Sequence, residues 1–174
     1  MRTVFLIVSL WLPGSLLLIP GCGQDPTAVL VHIRSADGAG ILVPDDVDGL
    51  EVAVLAGGVQ AWNRSFPLGG ASRPLEESIT FRPGPAADED FRVEIGGTRG
   101  ANVVATGTLD TFFAGAKVRE GTVGLDWLET VCLDDDGDGH GKGPACAGAD
   151  CDESDPAVHD SAAEACNGID DDCD

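Results

Sequence analysis

Between residues 27 and 130 the chain alternates apolar and polar positions in short runs. Val29, Val31 and Ile33 form one such run, Leu50, Val52 and Val54 a second, Ile79 and Phe81 a third, and Phe91, Val93 and Ile95 a fourth. Period-two alternation over four to eight residues is the signature of strands with one face buried. Arg92 and Glu94 sit between the apolar positions of their run, as expected where a sheet is wet on one side. Two less regular runs follow, over residues 103–109 and 118–125. The separators DGAG, PDDVDG, PGPAADED, GGTRG and FAGAK are rich in turn formers. Six or seven short strands with no convincing stretch of helical period predict a mainly β fold, an immunoglobulin-like antiparallel β-sandwich over residues 27–130. Trp62 and Trp127 are expected at the core or its edge, and His32 on a strand surface.

The pattern stops at residue 131. From 132 to 174 only Leu133, Val158 and Ile169 are large aliphatic side chains, and there are no aromatic ones, too few to build a core. The same 43 residues hold fourteen Asp and Glu against Lys142 alone, most of the chain's net charge of −20. Such a segment folds only if disulfides or a metal hold it. The charge disfavours nucleic acid and anionic membrane surfaces as partners and favours divalent cations.

The candidate chemistry lies in this tail. Asp134, Asp136 and Asp138 alternate at i, i+2 and i+4 and are followed by Gly139, the opening of an oxygen-ligand calcium loop. Carboxylates at alternate positions of a tight loop converge on one hard cation, and a glycine after them allows the positive-φ turn. His140, at loop position seven, is expected to offer its backbone oxygen. Position twelve is Ala145 rather than Glu, so a complete EF-hand is not expected. The missing ligands are expected from the next acidic cluster, Asp150, Asp152 and Asp155 with Glu153.

Cys132, Cys146, Cys151, Cys166 and Cys173 all lie in the tail and are disulfide candidates in an exported chain. Connectivity cannot be read from sequence. The shortest loops suggest Cys146–Cys151 and Cys166–Cys173, with Cys132 left over.

Residues 1–21 read as an export signal: Arg2, then an apolar run broken by Ser9, Pro13, Gly14 and Ser15. It ends Ile19-Pro20-Gly21-Cys22, which resembles a bacterial lipobox. That resemblance implies cleavage, lipidation of Cys22, a short linker over 22–26 and a membrane anchor; an ordinary cleaved signal and an uncleaved membrane helix are the alternatives. Gly23, where an inner-membrane retention signal would carry Asp, points to the outer membrane or cell surface of the bacterial envelope.

Taken whole, residues 132–174 resemble the MopE-type metal-binding motif, found in bacterial lipoproteins and secreted proteins. The matching positions are Asp134, Asp136, Asp138, Gly139, Cys146, Asp150, Cys151, Asp152, Asp155, Ala163, Glu164, Cys166, Gly168, Asp170, Asp172, Cys173 and Asp174. Three features depart from the family pattern: His140 replaces an aromatic, Asp160-Ser161 a Pro-Gly turn, and the chain stops before the last Gly, which suggests a fragment. The resemblance implies a metal site and leaves its ion open. The family name implies copper, whereas the ligands here are overwhelmingly carboxylates, so calcium is expected and copper is the alternative. Glu164, Asp170, Asp172 and Asp174 are expected to form or complete a second site.

No G-x-S-x-G, H-E-x-x-H or phosphate-cradling glycine loop occurs, so a non-catalytic protein is expected. Its rivals are an adhesin or glycan-binding sandwich on a calcium-stiffened stalk, with an extracellular protein or glycan as partner, and copper or zinc acquisition through His140 and His159.

Overall fold

A computed structural model describes residues 27–83 and 90–174, together with the backbone of Ile7–Leu10. The chain divides into two compact units, Met1–Asp126 and Trp127–Asp174. The readings of residues 1–21 as a signal and of Cys22 as a lipidation site fall outside the described residues, apart from that four-residue backbone segment.

The first unit is all β. Its strands are β1 (Ile7–Leu10), β2 (Ala28–Ser35), β3 (Leu42–Val43), β4 (Gly49–Ala56), β5 (Val59–Pro67), β6 (Arg73–Pro74), β7 (Glu76–Arg82), β8 (Asp90–Arg99), β9 (Asn102–Phe112) and β10 (Val118–Trp127). No helix occurs among the described residues. Eight strands make one curled sheet in the order β1-β7-β2-β10-β9-β8-β4-β5, and β3 pairs with β6 in a small second sheet.

Alternation places the core as expected. Val29, Val31 and Ile33 of β2, Leu50, Val52 and Val54 of β4, Ile79 and Phe81 of β7, and Phe91, Val93 and Ile95 of β8 are all buried. The curl turns one half of the sheet onto the other. Phe81 of β7 meets Phe91 of β8 with ring centroids 6.3 Å apart, and Trp62 of β5 packs edge-on against Phe81 at 6.4 Å. Edge-to-face contacts suit the ring quadrupole and close the interior between the halves. On the wet face Arg92 sits directly opposite Asp110 and makes a two-pronged bond to it, at 2.7 and 2.8 Å. His32 is half exposed and lies 4.0 Å from Glu120, a surface position.

One pairing departs from a purely antiparallel sheet. The first described core strand, β2, lies parallel to the last, β10, from Ala28 opposite Val118 to Ser35 opposite Leu125. Parallel neighbours need a long connection, and here the whole unit supplies it.

Candidate metal centre

Beyond Trp127, the last residue of β10, the second unit contains no strand, only two isolated bridges, Leu133 with Lys142 and Asp150 with His159. Val158 is its one buried large apolar side chain. Polar and covalent links therefore carry its structure. Leu133 and Lys142 exchange backbone hydrogen bonds of 2.8 and 3.1 Å, and the Ala145 N–H donates to the Val131 carbonyl at 3.0 Å. These bonds fold residues 131–145 back on themselves and bring Cys132 to Cys146, Cα atoms 4.8 Å apart, where they form a disulfide. A second disulfide joins Cys151 to Cys173, and Cys166 is free and exposed. The short-loop pairings Cys146–Cys151 and Cys166–Cys173 are thereby corrected: the hairpin-like closure, not sequence proximity, selects the partner of Cys146.

The folded-back loop carries the alternating aspartates, and each is oriented by the backbone just ahead of it. Asp136 Oδ1 accepts the Asp138 N–H at 3.3 Å, and Asp138 Oδ1 accepts the His140 N–H at 2.6 Å. Asp150 Oδ1 accepts the Asp152 N–H in the same way, at 2.7 Å. In this local turn one carboxylate oxygen is tied to the chain and the other is left to point elsewhere. Asp136 Oδ2, Asp138 Oδ2 and Asp150 Oδ2 are all buried and have no hydrogen-bond partner. Three orphaned carboxylate oxygens in one small unit fit a divalent cation, because a buried acceptor left unsatisfied costs about 1–3 kcal/mol, more for a charged group.

Asp134 contributes differently, with its oxygens accepting the N–H groups of Gly137 at 2.6 Å and Gly139 at 2.8 Å. Gly139 has φ of 94°, the left-handed turn expected there. Asp134, Asp136 and Asp138 each present one ligand atom within 4.8 Å of the others. A second group meeting the same criterion is Glu164, Asp170 and Asp172; a third is Asp138, His140 and His159. Asp174 is exposed and lies in none of these groups. Asp152 and Asp155 are exposed and spend an oxygen on local turns, accepting from Ser154 and Ala157 respectively.

Four further residues shape the centre. Glu153 accepts the Asp135 N–H at 3.0 Å. Asp171 is buried and accepts from the Ala165 N–H and the Asn167 amide, while its own N–H donates to Glu164 Oε2. The His140 ring, expected to stay out of the site, lies against it: Nδ1 is buried without a hydrogen bond, 3.4 Å from Asp138 Oδ2. His159 stacks on His140, centroids 3.9 Å apart and planes 8° from parallel.

The electrostatics follow from this crowding. Burial, reinforced by the Asp138, Asp150 and Asp134 charges, holds the Asp136 carboxyl above its ordinary pKa against the lowering effect of the Asp138 N–H. Burial likewise raises Glu153, with Asp150, Asp135 and Asp134 adding to it. The Gly137 and Gly139 N–H groups lower Asp134. A carboxyl with a raised folded pKa binds its proton more tightly when folded. Asp136 and Glu153 thus stabilise the metal-free fold at low pH, and that contribution is lost as pH rises from the ordinary carboxylate range through their raised values. Asp134 acts oppositely: its contribution is present above the ordinary range and is lost as pH falls through its lowered value. A divalent ion must displace the extra protons, so binding at a pH within the carboxylate range releases protons and binding near neutral pH releases fewer. Titrations in buffers of different ionisation enthalpy check this, and identical heats at the lower pH would count against it.

No curated protein and no solved structure matches the chain. The family model Cu-binding MopE, described as "Putative metal-binding motif", matches residues 150–174. The chain therefore carries over residues 150–174 a MopE-type metal-binding motif, and the Asp134–Asp136–Asp138 loop lies upstream of the matched residues.

Proposed function

We propose that this chain is a non-catalytic, lipid-anchored protein of the bacterial cell envelope whose C-terminal unit is folded and stiffened by structural calcium. The observation that carries the metal reading is the set of buried, unpartnered oxygens Asp136 Oδ2, Asp138 Oδ2 and Asp150 Oδ2. Calcium takes six to eight oxygen ligands in adaptable geometry, which suits carboxylates supplied by irregular loops. Magnesium demands a tighter octahedron and keeps its water, and copper prefers imidazole or sulfur.

Calcium is also the ion whose supply fits the place. Extracellular modules work with dissociation constants of roughly 10⁻⁴–10⁻³ M, so a modest site fills outside the cell. The anchor is supported by the lipobox-like Ile19-Pro20-Gly21-Cys22. Because the unit has so little core, the binding free energy of the ion becomes folding free energy. The ion is then a structural part.

Isothermal titration of the chelator-treated full chain with calcium, magnesium and copper tests the reading. Saturable calcium binding in or above the affinity range just given, with magnesium weaker, is expected. Copper binding with no calcium response would overturn it.

A further inference from the structure

We propose that the C-terminal unit holds a second cation site of different chemistry, built from His140, His159 and Asp138, for an imidazole-seeking divalent ion of the zinc class. The site stands on its own geometry, although it shares Asp138 with the calcium reading above. His140 Nδ1 lies 3.4 Å from Asp138 Oδ2 and His159 Nε2 lies 3.9 Å from the same oxygen. In a tetrahedral zinc site with bonds of about 2.0–2.1 Å, neighbouring ligand atoms stand roughly 3.3–3.4 Å apart. Both nitrogens are therefore near ligand spacing from the shared oxygen before any ion arrives.

Two observations separate this group from an ordinary acidic cluster. The Asp138 side chain is only 8% exposed, and its Oδ2 has no hydrogen-bond partner. His140 Nδ1 is also buried and unsatisfied, so the contact between these two atoms satisfies neither. With Nδ1 unprotonated, two atoms that both offer lone pairs face each other without a bond and leave a position that a cation would satisfy on both sides.

The outer edges of both rings are already tied down. Ser161 Oγ lies 3.1 Å from His140 Nε2 and 3.2 Å from His159 Nδ1, and Asp160 Oδ1 lies 3.7 Å from His140 Nε2. Metal-bound histidines are commonly oriented through the nitrogen that does not bind. With an ion on the two inner nitrogens, both outer nitrogens carry protons, and the two lone pairs of Ser161 Oγ can accept both. The Ser161 N–H, which donates to His159 Nδ1 at 3.3 Å, must then pass to water, and Ser161 is exposed enough to allow it.

One rearrangement is required. An ion bound to an imidazole nitrogen lies near the plane of that ring, and two rings stacked 3.9 Å apart cannot both satisfy this. Binding therefore splays the stack, which gives the site a signature separate from affinity.

Zinc titrated into the chelator-treated full chain at neutral pH, followed by calorimetry and by imidazole proton resonances, tests the proposal. One zinc per chain is expected at this site, with the ring-current shifts of His140 and His159 lost and those of His32 unmoved. His159→Gln should weaken zinc by at least ~10–100-fold, the loss typical when even an outer partner is removed, and weaken calcium far less. Asp138→Asn should weaken both ions; if it weakens zinc alone, the calcium reading fails and this one stands. Wild-type zinc affinity in His159→Gln, or zinc binding that leaves the stacked resonances where they were, would overturn the site. The wild-type resonances decide the matter even if a variant misfolds.

Discussion

Changing Cys151 and Cys173 together to Ser costs the C-terminal unit most of its amide protection even with calcium present, whereas Cys166→Ser leaves it as it was. Their disulfide closes a 22-residue separation, and the other, Cys132–Cys146, closes 14. In the chain-entropy account each closure is worth about 3 kcal/mol. Against this the unit sets one buried large apolar side chain, Val158, worth roughly 1.5–3 kcal/mol. Losing a closure therefore removes a term as large as the burial of that side chain. The loop enclosed by Cys151 and Cys173 holds His159, the Glu164–Asp170–Asp172 group and buried Asp171. Amide hydrogen exchange across residues 127–174 measures the effect. Protection that survives the double substitution, or is lost in Cys166→Ser, would mean that the pairing described here does not hold the unit together.

Gly141→Ala disables the aspartate loop without touching a ligand. Gly141 has φ of 143°, and a Cβ there would collide with the Leu133 carbonyl oxygen and come within 3.2 Å of Glu153 Oε1. That carbonyl accepts the Lys142 N–H in the bridge that closes the loop. Relief of the clash must push residue 133 away and shift Asp134, the start of the carboxylate series. Strain at a left-handed, non-glycine position costs of order 1–3 kcal/mol, and the broken bridge adds to it. Divalent-ion affinity is expected to fall at least ~10-fold, since 1.4 kcal/mol already corresponds to that factor. Calorimetry on the variant checks it; unchanged affinity would show that the loop forms independently of the Leu133–Lys142 bridge.

Much of the first unit was legible because burial there obeys period two. The alternating runs became β2, β4, β7 and β8, with their apolar members in the core. β5 escaped notice for a physical reason: at the sheet edge only Phe66 is buried, so no alternation marks it. β9 looked irregular because the register shifts between Gly97 and Thr98 of β8, which buries the consecutive residues Val104 and Ala105. The parallel pairing of β2 with β10 joins distant parts of the chain, and no local pattern records it.

In the second unit the aspartate spacing was legible because it is a local property of one loop. The disulfides were not, since the partner of Cys146 is set by backbone bonds that close the loop from residue 131 to 145. The approach of His159 to His140 likewise depends on the Asp150–His159 bridge and the His159 N–H bond to the Asp171 carbonyl. Asp171 was hidden within the run Asp170-Asp171-Asp172: the middle residue turns inward to bind the Ala165 N–H, and its neighbours join Glu164. A run of identical residues carries no mark of which one is buried.

Amide NMR of the oxidised full chain, recorded metal-free, with calcium and again after chelation, puts the dependence of fold on ion directly in view. Resonances of Asp134, Asp136, Asp138 and Asp150 are expected to disperse with calcium and collapse on chelation, while those of the β unit stay dispersed throughout. A C-terminal spectrum that is equally dispersed in all three states, or that copper orders and calcium does not, would contradict a unit folded around calcium.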